Sequence, residues 1–83
     1  MSSRRERVQM MHSIVKVLTE KPLLMSKVIM RANLISLTYK KYWTTLERHG
    51  FVKKEGQLCC LTEKGYLFNT RAQQFYEIAE ELL

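Results

Sequence analysis

Two short runs, Phe51-Val52-Lys53-Lys54 and Leu58-Cys59-Cys60-Leu61, flank Glu55-Gly56-Gln57, and this arrangement most constrains what the chain can fold into. Apolar and β-prone residues around a turn whose glycine is free to take positive φ make a hairpin. Everything else of length reads as helix, so the hairpin must sit inside a mostly helical domain. The 83 residues leave room for one such domain. A chain this short buries only ~60% of the surface its unfolded form exposes, so it needs a compact core or a partner chain. The fold class that follows is α+β, mostly α, in one domain over residues 1–83.

The helical segments are delimited by local chemistry. Ser3-Arg4-Arg5-Glu6 has the form of a capping box, in which a hydroxyl and a carboxylate satisfy each other's orphan amides. Val8, Met11, Ile14, Val15 and Leu18 then recur at helical spacing. Pro22 disfavours helical geometry at Lys21, which predicts a first helix over 3–20. Leu23-Leu24-Met25 suits a short strand over 23–25, and Ser26 is an N-cap candidate for a helix over 26–32. Asn33-Leu34 makes a turn.

A third helix is expected over 36–49, with Tyr39, Tyr42, Trp43 and Leu46 as its apolar stripe and Gly50 as its C-terminal stop. The hairpin spans 51–61. Thr62 caps a final helix over 63–83, whose Phe68, Ala72, Phe75, Ala79 and Leu82 alternate steps of four and three, the spacing of a coiled-coil seam.

Charge is unevenly placed along this frame. The formal net charge is +6. Residues 22–54 carry Lys27, Arg31, Lys40, Lys41, Arg48, Lys53 and Lys54 against Glu47 alone. The first 21 residues are also basic through Arg4, Arg5 and Arg7, and residues 55–83 are acidic. A basic block beside an acidic one suggests one surface for phosphates and another for protein. Glu77, Glu80 and Glu81 lie near a helix C-terminus, where the dipole prefers cations; the expectation is that they face Arg4, Arg5 and Arg7 of the same or a partner chain.

Several function classes drop out. No uncharged stretch approaches the ~20 apolar residues needed to cross a bilayer, and the charged N-terminus leads into no signal-peptide core. Cys59 and Cys60 form no disulfide framework, which points to an intracellular protein. In a strand they face opposite ways, Cys59 inward with Leu61 and Cys60 outward. His12 and His49 stand apart from any convergent ligand set, so no metal is expected. No nucleophile–base pair, paired carboxylates or glycine-rich phosphate loop appears. The chain reads as a non-enzyme with no cofactor and no small-molecule ligand.

Helix, short strand, helix, turn, helix, hairpin, helix is the order of a winged helix-turn-helix domain, in which one helix braces a second that enters the DNA major groove. The expected DNA-binding residues are Ser36, Leu37, Thr38, Lys40, Lys41, Thr44, Thr45 and Arg48 on the recognition helix, with Lys53 and Lys54 on the wing. The cations suit phosphates, and the threonine hydroxyls suit phosphates or base edges.

The segment Val28-Ile29-Met30-Arg31-Ala32-Asn33-Leu34 resembles the Ile-Met-x-x-Ala-Asn-Leu signature of the small archaeal winged-helix regulators. Tyr42-Trp43, Leu46 and Gly50-Phe51-Val52 are similar to that family's Tyr-Leu, Leu and Gly-Leu-Ile, and Leu61-Thr62-Glu63-Lys64-Gly65 to its Leu-Thr-x-Lys-Gly. The resemblance spans about residues 10–68. It departs from the pattern at Ile35-Ser36, where the family often has Ser-Tyr.

The resemblance implies double-stranded DNA binding as a homodimer joined through terminal helices, in transcriptional regulators, chromatin-type proteins and archaeal viral relatives. The expected dimer interface is Phe68, Ala72, Phe75, Ile78, Ala79 and Leu82. The expected setting is the cytoplasm of an archaeal or virus-infected archaeal cell, on DNA. The rival functions are a weakly specific architectural DNA binder and a winged-helix protein–protein module without DNA binding.

Overall fold

The computed structural model describes residues 4–34 and 36–82, with side-chain surroundings for 7–34 and 37–82. The proposed capping box at Ser3 and Glu6 therefore lies outside the described residues, as do the side chains of Arg4, Arg5 and Ser36. The elements run α1 (Arg4–Leu18), β1 (Leu23–Leu24), α2 (Met25–Arg31), α3 (Ser36–Arg48), β2 (Val52–Glu55), β3 (Leu58–Leu61) and α4 (Glu63–Leu82). The fold is a winged helix: mostly helical, with an antiparallel sheet and a long C-terminal helix.

The sheet has three strands in the order β1-β3-β2. The hairpin pairs Val52 with Leu61 and Glu55 with Leu58, so Gly56 and Gln57 form its turn, with Gly56 at φ +63°. The short strand adds to its other edge, Leu23 opposite Cys59 and Leu24 opposite Leu58. This pairing makes β3 the central strand and changes the reading of Cys60. Both cysteines are buried and free. Cys60, opposite Lys53 of β2, is only 6% exposed, so it does not face solvent as expected. It is poorly placed for an interchain disulfide.

Local chemistry moves two helix ends. The amide and hydroxyl of Thr19 both donate to the Lys16 carbonyl, closing α1 at Leu18 rather than Glu20. Ser26 does not cap α2. Leu24, extended at φ −65° and ψ 149°, occupies the N-cap with no side-chain cap, because its pairing with Leu58 leads the chain directly from strand into helix. Met25 is thus helical.

Two helices end in the same device. Leu34 donates to the Ile29 carbonyl and Asn33 to the Met30 carbonyl, with Asn33 at φ 57°; Phe51 donates to Leu46 and Gly50 to Glu47, with Gly50 at φ +79°. Each is a Schellman motif, which satisfies orphan carbonyls through one residue in left-handed geometry. These two stops set the lengths of α2 and α3.

The core gathers Ile14, Val15 and Leu18 of α1, Val28 of α2, Tyr39, Tyr42, Trp43 and Leu46 of α3, and Leu23, Val52 and Cys59 of the sheet. Tyr39 and Trp43 stack at 5.8 Å. Buried aromatics of this size remove ~150–250 Å² each from water, on the order of 4 kcal/mol apiece at ~25 cal/mol per Å². They are committed to packing and not to stacking on bases. Burial, with Cys59 Sγ 3.7 Å from the hydroxyl, pushes the Tyr39 phenol far above its ordinary pKa of 10.0.

Candidate nucleic-acid interface

The junction of α3, the wing and α4 explains the Leu-Thr-x-Lys-Gly segment. The Thr62 hydroxyl lies 2.6 Å from the Gly50 carbonyl and 3.0 Å from that of Phe51, and its oxygen accepts from the Gly65 amide at 3.1 Å. One side chain thus caps α4 and closes the base of the wing. Lys64 Nζ donates to the His49 carbonyl at 2.9 Å, at the C-terminal end of α3, and lies over the Phe51 ring. Gly65 is buried, and a Cβ there would collide with the Phe51 carbonyl oxygen and with Leu61. Thr62, Lys64 and Gly65, just after the wing, therefore fix the angle between α3, wing and α4.

That junction, with the buried stripe of α3 pressed on α1 and the sheet, fixes which face of α3 points out. Leu37, Lys40, Lys41, Thr44 and Arg48 are exposed along it, and Leu37 is 81% exposed. Thr38 and Thr45 are half-buried on its flank. Ser36 opens the helix, its side chain outside the described residues. Among the described residues no ion pair engages Lys40, Lys41 or Arg48, so all three present their charge to solvent.

The threonines behave differently from expectation. Thr44 Oγ1 donates to the Lys40 carbonyl at 2.9 Å and Thr45 Oγ1 to the Lys41 carbonyl at 3.2 Å. Their only hydroxyl protons are spent on the helix backbone. A phosphate offers only acceptors, so in these rotamers Thr44 and Thr45 can accept from a base amino group but cannot donate to the DNA backbone.

The two wing lysines separate by strand alternation. Lys53 and Lys54 project from opposite faces of β2. Lys53 is held by Glu55, two residues along on the same face, at 3.0 Å; that hydrogen bond raises the Lys53 pKa and keeps it charged. Lys54, opposite Cys59, has no such partner among the described residues. Glu55 is a neighbour the sequence reading did not weigh, although spacing of two within a strand signals it.

Sequence reasoning set Arg7 against the acidic end of α4 and did not place it beside α3. Arg7 lines a groove of about 340 Å³ between α1 and α3 with Val8, Met11, Lys41, Tyr42 and Thr45. No ion pair joins Arg7 to Glu77, Glu80 or Glu81 among the described residues.

On α4 the expected seam divides between two faces. Phe68 packs on the core, 5.0 Å from the Phe51 ring, and Ala72 and Ala79 are half-buried on the side of Asn69 and Tyr76. That side meets α1: His12 bonds Asn69 at 3.0 Å and stacks on Tyr76. Burial is the main cause that holds His12 below its ordinary pKa of 6.5, with Lys16 adding to it and Asn69 opposing. Phe75, Ile78 and Leu82, at 63%, 58% and 82% exposure, form with the exposed Leu67 a second apolar stripe that none of the described residues covers.

The comparisons with known proteins agree with this geometry. No match is found among curated proteins. The solved structure of Sso10a-2, a DNA-binding protein from Sulfolobus solfataricus, superposes with a TM-score of 0.77 at 28% identity, covering 90% of this chain and 82% of that one. A family model described as winged helix-turn-helix matches residues 4–80. With fold and family model in agreement along nearly the whole length, this chain belongs to the winged helix-turn-helix family and resembles its small archaeal members.

Proposed function

We propose that this protein binds double-stranded DNA, with α3 in the major groove and the wing against the flanking backbone. The observation that carries the reading is the outward face of α3: Lys40, Lys41 and Arg48, unpaired among the described residues and held on a helix whose other side is locked into the core. The DNA-binding description of Sso10a-2 supports it. Lys54 supplies a phosphate contact from the wing, and Lys53 does so once it leaves Glu55. Thr44, exposed on that face, and Arg48, at its C-terminal end, are the candidates for base edges, and the protein is on this reading a sequence-preferring regulator of transcription. The second apolar stripe of α4 supports a homodimer, because ~25 cal/mol per Å² favours covering Phe75, Ile78, Leu82 and Leu67.

A salt titration tests the reading. Each phosphate contact contributes about −0.9 to the slope of log K against log salt, so Lys40, Lys41, Lys53 and Lys54 give roughly −4 per protomer. A slope near zero with every duplex would leave a protein–protein module. Competition between random duplex and selected sites tests the regulator: a preference of ~10³ or more supports it, and a far smaller one makes the protein an architectural binder.

A further inference from the structure

The α1–α3 groove has no role in the reading above. Its floor is apolar, with Tyr42 buried and Val8 and Met11 half-buried. Its rim is cationic: Arg7 from α1 and Lys41 from α3 are both exposed, and no carboxylate is among the described residues that line it. Thr45, the remaining lining residue, has spent its hydroxyl proton on the Lys41 carbonyl, so the charged donors of the groove are Arg7 and Lys41. Two like charges on one concave surface repel, and an anion between them relieves that repulsion.

Lys41 also belongs to the exposed face of α3, so the groove opens onto the edge of that face. A helix lying in a major groove has a sugar-phosphate strand on each side. One side is served by the wing. The other lies along the Lys41–Thr45 flank, where α1 runs.

We infer that Arg7 is a DNA-backbone contact: with Lys41 it grips a phosphate on the wall of the major groove away from the wing, so that α1 extends the footprint and α3 is held between two backbone clamps. The inference rests on the proposed DNA binding. Its occupant is a duplex phosphate, because the rim presents two exposed cations and, among the described lining residues, no carboxylate. A guanidinium suits that ligand, since its planar fork can bond two phosphate oxygens at once.

The test measures duplex binding of the full chain across a salt series for wild type, Arg7→Ala, Arg7→Lys and Lys54→Ala. Arg7 is exposed, and circular dichroism checks that each variant folds. The expected result is that Arg7→Ala weakens binding to all sequences alike and makes the log–log slope shallower by about 0.9 per protomer, while Arg7→Lys keeps the slope. If Arg7→Ala leaves affinity and slope unchanged while Lys54→Ala flattens the slope, the inference falls and the DNA reading stands. A changed sequence preference in Arg7→Ala would overturn the phosphate assignment. Wild type without salt-dependent binding removes the DNA reading itself.

Discussion

At the scale of single residues, the junction after the wing is the least tolerant part of the molecule. Gly65 has no space for a Cβ, because the Phe51 carbonyl and the Leu61 side chain occupy it. Gly65→Ala must shift backbone and not merely a flexible side chain. Overpacking of that kind costs ~1–3 kcal/mol, and in a domain of this size ~1 kcal/mol lowers Tm by about 4–8 °C. Urea and thermal unfolding of Gly65→Ala should show such a loss; an unchanged midpoint would mean that α4 can tilt at no cost. Thr62→Ala removes a cap and the bonds to Gly50 and Phe51, with an expected loss of ~1–2 kcal/mol. Glu55→Gln acts in the opposite sense on binding. It releases Lys53 from its 3.0 Å partner and removes a negative charge from the wing. Duplex affinity at low salt should rise, by an amount that shrinks as salt screens the wing.

Among the elements, α3 and α4 illustrate what periodicity can and cannot show. The apolar stripe of α3 was legible because Tyr39, Tyr42, Trp43 and Leu46 lie on one side and the cations on the other. Its outward face follows directly. On α4 the four-three spacing from Phe68 to Leu82 reads as one seam, but Phe68, Ala72 and Ala79 turn toward the body of the domain while Phe75 and Leu82 lie toward a second stripe with Ile78 and Leu67. A helix apolar on two sides gives a pattern that spacing alone cannot divide, because the division depends on where α1 packs. The distinction yields a prediction about self-association. Leu82→Glu and Ile78→Glu should shift sedimentation toward monomer with helicity and the wing intact, whereas a charge at Phe68 should unfold the domain. If Leu82→Glu and Ile78→Glu leave the association state unchanged, α4 is not the dimer helix.

For the molecule as a whole, the contact between α1 and α4 links the N-terminus to the C-terminal helix, and His12 makes it sensitive to pH. Burial against Tyr76, with Lys16 nearby, lowers its pKa below 6.5 in the folded state, although the bond to Asn69 works the other way. Between the two values the unfolded chain binds a proton that the folded chain resists. Stability should therefore be full above about pH 7, fall as pH drops through the unfolded value, and level off below the folded one. Thermal midpoints from pH 8 to pH 5 measure it, and His12→Asn should flatten the decline. α1 also packs against α3, which places Arg7 on one groove with Lys41, at the edge of the exposed face of α3.

Local chemistry written in the sequence determined most of the elements. Asn33 and Gly50 stop two helices because left-handed geometry is cheap there, Gly56 turns the hairpin, Thr62 caps α4, and the spacing of apolar side chains selects the buried face of α3. Each depends on residues within a few positions of one another. The tertiary structure decided what depends on distant pairing. It joined β1 to β3, buried Cys60 on a central strand, took the N-cap of α2 away from Ser26 and divided the apolar residues of α4 between two faces. It also placed Arg7 on the rim of a groove with Lys41, 34 positions along the chain. No local pattern encodes that neighbour, because it exists only once α1 has packed across α3.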